Sequence, residues 1–288
     1  MTLRSGTPSI TPTAVPRHGP EPTARLVRSL IRLRNDMLFG LCLDMLLDGV
    51  DYQLTFVNDP GIPSLNAAHA VGGTRPGLFR ELSALEGSTG IRLGVYQDPA
   101  TPPEVLAQLR TAHYRRTPSY DEHWYALDLR AQDTAVPFEG AAPDEPSLSV
   151  REILDPTEED IRRYADLETK AGDVPPALAD RMVRNLLGPD RNAARTHLFR
   201  AVVDGEKAAY AALLVAGQYA LLPETGGEVS PDDREIRDAL TRHRLRRARE
   251  LTARSAFAIA GTPDRYGPHH LGMDPLWVRA YWSPPAMD

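Results

Sequence analysis

The stretch His197 to Ala216, HLFRAVVDGEKAAYAALLVA, leaves the chain little freedom in its local structure. Two runs of β-forming residues flank the dipeptide Asp204-Gly205, a pair suited to a tight two-residue turn, so the spacing predicts a β-hairpin. A lone hairpin is marginal in water and must join a sheet whose apolar face is covered. The rest of the sequence supplies those parts. Strand-like runs are expected at Tyr52 to Val57, Ile91 to Tyr96, His123 to Leu129, Leu148 to Ile153, Tyr219 to Leu222, Ala256 to Ala260 and Leu276 to Trp282, with a further β segment near Glu228 and Val229. Helical spacing marks Leu26 to Leu46, Pro76 to Leu85, Pro102 to Ala112, Thr157 to Lys170, Pro176 to Leu187 and Asp232 to Ala253. Thr157 is a fitting N-cap, with Asp160 three residues on. Alternation of this kind predicts an α/β (α+β) protein built in layers.

At 288 residues the chain exceeds the usual span of one domain. Ala131 to Ser147, AQDTAVPFEGAAPDEPS, is rich in proline and acid and has little periodicity, so it reads as a linker. The expected organisation is a flexible tail over residues 1–24, a first half over 25–132, a linker over 133–147 and a second half over 148–288. No internal repeat is legible from residue identities. No stretch approaches the roughly 18 uncharged apolar residues that a membrane-spanning helix needs, and the proline-rich start has no continuous apolar core of the kind a secretory signal carries. The single cysteine, Cys42, falls in an apolar pattern where burial explains it. A cytoplasmic location is expected. A net charge of −6, from 33 basic and 39 acidic side chains, opposes generic affinity for nucleic acid. One helix departs from that balance: Arg242, Arg244, Arg246, Arg247 and Arg249 crowd RDALTRHRLRRAREL.

Over Leu148 to Trp282 the order strand, helices, hairpin, strand, arginine-rich helix, strand, short loop and last strand resembles the catalytic module of the GNAT acyltransferase superfamily. The stretches that carry the resemblance are VVDGEKAAYAALLV, VSPDDREIRDAL and HHLGMDP. Arg25 to Arg130 resembles the non-catalytic N-terminal lobe of tandem GNAT proteins, through FVNDPGIPSLNAAHAV, TPPEVLAQL and HWYALDL. The resemblance implies two GNAT-like lobes, each a mixed β-sheet flanked by helices, with a substrate groove at their junction. It also implies acetyl-CoA, or another acyl-CoA, as the donor.

In that superfamily a glycine-bearing loop, Arg/Gln-x-x-Gly-x-Gly/Ala, opens the helix and offers main-chain amides to the cofactor's pyrophosphate. First-turn amides lack an intrahelical acceptor, and the helix dipole favours an anion there. The corresponding stretch, inside the segment VSPDDREIRDAL that begins at Val229, runs Asp233, Arg234, Glu235, Ile236, Arg237, Asp238, Ala239. It has no glycine, and Glu235 and Asp238 add negative charge that Arg234 and Arg237 offset in part. The resemblance assigns cofactor contacts to Val229, Arg234, Ile236, Arg237, Asp238 and Ala239, with Arg242 or Arg246 for the 3′-phosphate, where a planar guanidinium is well suited.

Amine acylation needs a base for the ammonium proton and a donor for the departing thiolate. The resemblance points to Glu224 first, or Glu228, as base and to Tyr266 as acid; each is also readable as an ordinary surface or loop residue. His269 and His270 are adjacent in a loop with no spaced partner, so no metal site is expected. Asn58, Asn66 and His69 lie in a Gly/Pro-rich segment where turn stabilisation is the simpler role, and Trp124, Trp277 and Trp282 read as core or rim aromatics. The expected function is an N-acyltransferase acting on an amine of a small molecule. Two alternatives stand beside it: a GNAT-like binding protein without the cofactor site, and a transferase that takes its acyl group from aminoacyl-tRNA held by the basic helix. Nothing in the sequence sets an oligomeric state.

Overall fold

Thirteen strands form one sheet in the computed structural model, which describes residues 23–41, 45–48, 52–59, 62–69, 72, 77–130, 148–172, 178, 180–181, 183–184, 196–223, 226–227, 234–260 and 271–285. In chain order the strands are β1 (Met45–Asp48), β2 (Gln53–Phe56), β3 (Ala67–His69), β4 (Gly94–Gln97), β5 (Arg115–Arg116), β6 (Glu122–Asp128), β7 (Ser149–Ile153), β8 (Thr196–Val203), β9 (Glu206–Ala216), β10 (Tyr219–Leu222), β11 (Gly226–Gly227), β12 (Ser255–Ala260) and β13 (Asp274–Ser283). The helices with described bounds are α1 (Ala24–Leu41), α2 (Gly77–Thr89), α3 (Pro103–Thr111), α4 (Glu158–Gly172) and α5 (Arg234–Glu250). Residues 178, 180–181 and 183–184 are helical, within the helix expected at Pro176 to Leu187.

The strands lie in the order β1-β2-β3-β4-β13-β6-β12-β10-β9-β8-β7, with β5 against β13 and β11 against β9. This order holds a repeat that residue identities hide. Each half has three antiparallel strands (β1 to β3, β8 to β10), a helix (α2, α5) and a strand parallel to the third (β4, β12). Each then sends its last strand into the other half: β6 pairs with β12, β13 pairs with β4, and β6 and β13 pair with each other in the middle. Two sheets, one per lobe, were the expectation, and a single sheet is found. The exchanged strands carry the hydrogen-bond ladder across the junction, so neither half closes its own sheet.

The hairpin between β8 and β9 turns at Asp204 and Gly205 with φ of 50° and 86°, as its sequence demanded. The helix expected over Leu26 to Leu46 instead ends at Leu41, and Met45–Asp48 pairs with β2. A short apolar run suits either state, and the available partner strand decides it. Cys42 lies outside the described residues. Strand β3, only three residues long, had no periodic signal at all.

The sheet is covered on both faces. On one, α5 sets Ile236, Leu240, Leu245 and Ala248 against Tyr125, Leu127, Leu213 and Ala256. On the other, α1 buries Val27, Leu30 and Ile31 against Trp124, Leu221, Phe257 and Trp277, so the first half's helix covers the second half's strands. α4 packs Ile161, Tyr164 and Ala165 on Leu198, Tyr210 and Ala212, and also on Val57, Ile62 and Leu65 of the first half. Thr157 caps α4 as expected: its hydroxyl accepts from the Asp160 N–H at 3.2 Å, and the Asp160 carboxylate also holds Arg200 at 3.1 Å and the Tyr210 hydroxyl at 3.2 Å. No described helix is long and apolar enough to cross a membrane.

Candidate functional site

β10 and β12 run parallel and in register from Tyr219–Ser255 to Leu222–Ala258, and there they part. β12 continues through Ile259 and Ala260, still paired to β6 on its other side. The chain leaving β10 instead stays with β9, as β11. Register shows how. Leu221 faces Leu214 and Gly226 faces Tyr210, five steps on one strand against four on the other, so one residue is in excess. An unmatched residue of this kind is a β-bulge, which bends its strand away from the regular ladder. Pro223 stands in that stretch and has no N–H to offer a neighbour. Beyond Leu222 and Ala258, β10 and β12 have no further ladder pairing among the described residues.

Arg244 supports the bulge from α5. Its side chain is buried, and Nη1 donates to the carbonyls of Ala212 at 3.0 Å and Pro223 at 2.8 Å, while Nη2 donates to the Thr241 hydroxyl at 3.1 Å. Disrupting a ladder strands carbonyls, and a guanidinium on a neighbouring helix is one way to satisfy them. The sequence reading missed this role by treating the arginines of α5 as a surface set. The signal was available, because Arg244 occupies the next place in the buried stripe Ile236, Leu240, Ala248 at spacing four.

The other expected site residues divide by place. Glu224, Glu228, Val229 and Tyr266, with His269 and His270, lie outside the described residues. Arg234 begins α5. Ile236 packs its side chain into the core, leaving only its main chain for a ligand. Arg237, Asp238 and Ala239 are half-buried, while Glu235 and Arg242 are exposed.

A second polar constellation lies at the junction of the halves, on the α1 face. Arg279 of β13 is fully buried; its Nη1 donates to Glu122 of β6 at 2.6 Å and its guanidinium carbon sits 4.3 Å from the centre of the Tyr96 ring. Glu122 also pairs with Arg34 of α1 and accepts from the Trp124 indole N–H at 3.2 Å. Burial pushes the Glu122 carboxyl upward, but Arg279 and Arg34 outweigh it and hold the group below its usual range. His69 lies between Arg279 and Thr55. Because a guanidinium only donates, Nδ1 must accept from Arg279, so Nε2 carries the proton and donates to the Thr55 hydroxyl at 2.7 Å. Burial, with Arg279 and Arg34, lowers the His69 pKa well below its ordinary value and keeps the ring neutral. Both nitrogens are occupied, which makes His69 a structural link and not a base. Asn66 is likewise structural: its Oδ1 accepts from the Val57 N–H at 2.8 Å and its Nδ2 donates to the Asp59 carbonyl at 2.9 Å. The three tryptophans are buried, with Trp124 and Trp277 stacked at 5.6 Å.

No family model and no curated protein matches the chain. Solved structures do. A GCN5-related N-acetyltransferase from Kribbella flavida superposes with a TM-score of 0.64 at 15% identity, covering 93% of this chain and 97% of that one. A tandem GNAT protein from the clavulanic acid biosynthesis pathway gives 0.56 at 20% identity over 82% and 79% of the two chains. A GCN5-related N-acetyltransferase from Sphaerobacter thermophilus gives 0.55 at 15% identity over 77% and 73%. At such identities the likeness speaks for architecture and not for chemistry. Its shared architecture gives this chain the fold of the GCN5-related N-acetyltransferases.

Proposed function

We propose that the chain is a GNAT-type N-acyltransferase, taking an acyl group from a coenzyme A thioester, acetyl-CoA most directly, and passing it to an amine of a small molecule. The observation that carries this reading is the parting of β10 from β12 at a bulge, on the sheet that α5 covers. A parted pair leaves the edge of β12 at Ile259 and Ala260 without a ladder partner on the β10 side among the described residues. Edge N–H and C=O groups of that kind suit the amides of a pantetheine arm. The first-turn amides of α5 would hold the diphosphate, with Arg234 and Arg237 partly offsetting Glu235 and Asp238, and Arg242, two turns farther on, would serve the 3′-phosphate. When bound, coenzyme A supplies the acyl thioester. The proton transfers expected of Glu224, Glu228 and Tyr266 remain proposals for residues beyond those described.

A second reading places the donor in the first half. β3 and β4 are also parallel, and their pairing ends at Ala68–Val95 while β4 runs on to Gln97. The connection from β3 to α2 carries Gly72 and Gly73, and Gly77 opens the helix, whereas residues 228–233 before α5 include no glycine. The Arg28 guanidinium lies so close to Gly72 that a β-carbon there would overlap it. Release of free thiol from acetyl-CoA, followed across a panel of small amines, tests the enzyme reading: amine-dependent release supports it, and absence of release with every amine, together with no binding of acetyl-CoA, leaves a non-catalytic GNAT-like protein.

A further inference from the structure

β12 runs two residues beyond its last partner on β10, and its final residue, Ala260, faces His123 of β6. His123 in turn faces Val278 of β13. Ala260, His123 and Val278 therefore form a row across three adjacent strands, starting at the edge of β12 that has no partner on β10 among the described residues. Alternation puts His123 on the face of Tyr125 and Leu127, the face that α5 covers farther along the sheet. Over the row that cover is incomplete: Val278 is 46% exposed in the middle of the sheet, and Ala260 and His123 are half-buried. An exposed valine within an eleven-strand path marks a stretch of that face left open to solvent.

Among the described residues neither ring nitrogen of His123 makes a hydrogen bond, whereas His69 is held by Thr55 and Arg279, and His197 by Glu152 at 2.6 Å. The strand exchange also distinguishes the two halves. β13 stands beside β4 as β6 stands beside β12, and the residue facing Gln97, the last of β4, is Ala280. One of the two equivalent register positions holds a titratable side chain and the other a methyl group.

We infer that His123, carried into the second half on the first half's exchanged strand, is the acid–base residue of the cleft between β10 and β12. The inference rests on the acyltransferase reading above. In this role the neutral imidazole takes one proton from the acceptor ammonium as nitrogen attacks the acyl carbon. The C–S bond breaks with its electron pair on sulfur, the imidazolium returns its proton to that sulfur, and the nitrogen's second proton passes to solvent as the amide forms. Burial, aided by Arg116 and opposed by Asp121, lowers the imidazole pKa, which supplies the unprotonated form the first step needs. The sequence left the base between Glu224 and Glu228 and the acid with Tyr266; the inference gives both proton transfers to His123, a residue distant from all three in sequence.

The test is a two-dimensional NMR titration of the intact chain with coenzyme A and with desulfo-coenzyme A, following the imidazole signals and the α5 amides. The expected result is a shift of the His123 signals with coenzyme A that shrinks with the desulfo form, while the first-turn amides of α5 move equally with both. An unmoved His123 beside shifted α5 amides overturns the inference and leaves the donor site standing. Unmoved signals everywhere overturn both. His123→Gln, verified as folded by its unfolding midpoint, is expected to lower amine-dependent thiol release about 100-fold with the KM for acetyl-CoA unchanged; full activity in that variant contradicts the assignment.

Discussion

Glu122 faces two guanidiniums in a place that water barely reaches, so each of the three charges depends on the other two. Removing the anion leaves Arg279 and Arg34 buried without their counter-charge, and breaking one side of a buried pair costs about 3–5 kcal/mol. Glu122→Gln is therefore expected to lose roughly that stability, read from the shift of the urea midpoint. Acid acts on the same cluster with a fixed sign. The His69 pKa in the folded chain lies below its ordinary 6.5, so the unfolded chain binds a proton that the folded chain refuses. Its contribution is whole above pH 6.5 and declines as pH falls below that value; the depressed Glu122 adds a further loss below its ordinary 4.5. His123 and His243, also lowered by burial, act in the same direction as His69. The urea midpoint should drop between about pH 7.5 and about pH 5.5, and His69→Gln should show the smaller drop.

The bulge after β10 is tied to α5 by the Arg244 side chain. Arg244→Met fills a similar volume but leaves the carbonyls of Ala212 and Pro223 without their donor, a loss of roughly 2–4 kcal/mol on the usual cost of unsatisfied buried groups. Denaturant unfolding of that variant checks the figure, and an unchanged midpoint would remove Arg244 from its supporting role. This element also marks the border of what the sequence could tell. The β8–β9 hairpin, the Thr157 cap and the arginine-rich helix were legible because their signals are local: a turn pair, an oxygen three residues from an amide, a period of 3.6. The bulge was not, since an excess residue exists only relative to a partner strand. His123 sat inside an expected strand, but which strands would flank it depends on contacts more than a hundred residues apart in sequence, as its pairing with Val278 and Ala260 shows. Met45–Asp48 failed for the opposite reason: four apolar-rich residues carry too short a pattern to separate strand from helix.

At the scale of the whole molecule, the exchange of β6 and β13 decides how the halves depend on each other. A fragment of residues 148–288 would present β12 with no β6 beside it and β13 with neither of its neighbours, exposing long unpaired edges. Residues 1–147 and 148–288 made separately should each aggregate or remain largely unfolded, and should recover native circular dichroism when co-expressed; a cooperatively folded second half alone would contradict this. The same exchange lets one cleft draw its groups from both halves. Hydrogen exchange of the intact chain with and without acetyl-CoA addresses the cleft itself. Protection confined to the first turn of α5 and the end of β12 at Ile259 and Ala260 is the predicted result; exchange unchanged at millimolar ligand, or protection at β3 and α2 instead, would contradict it.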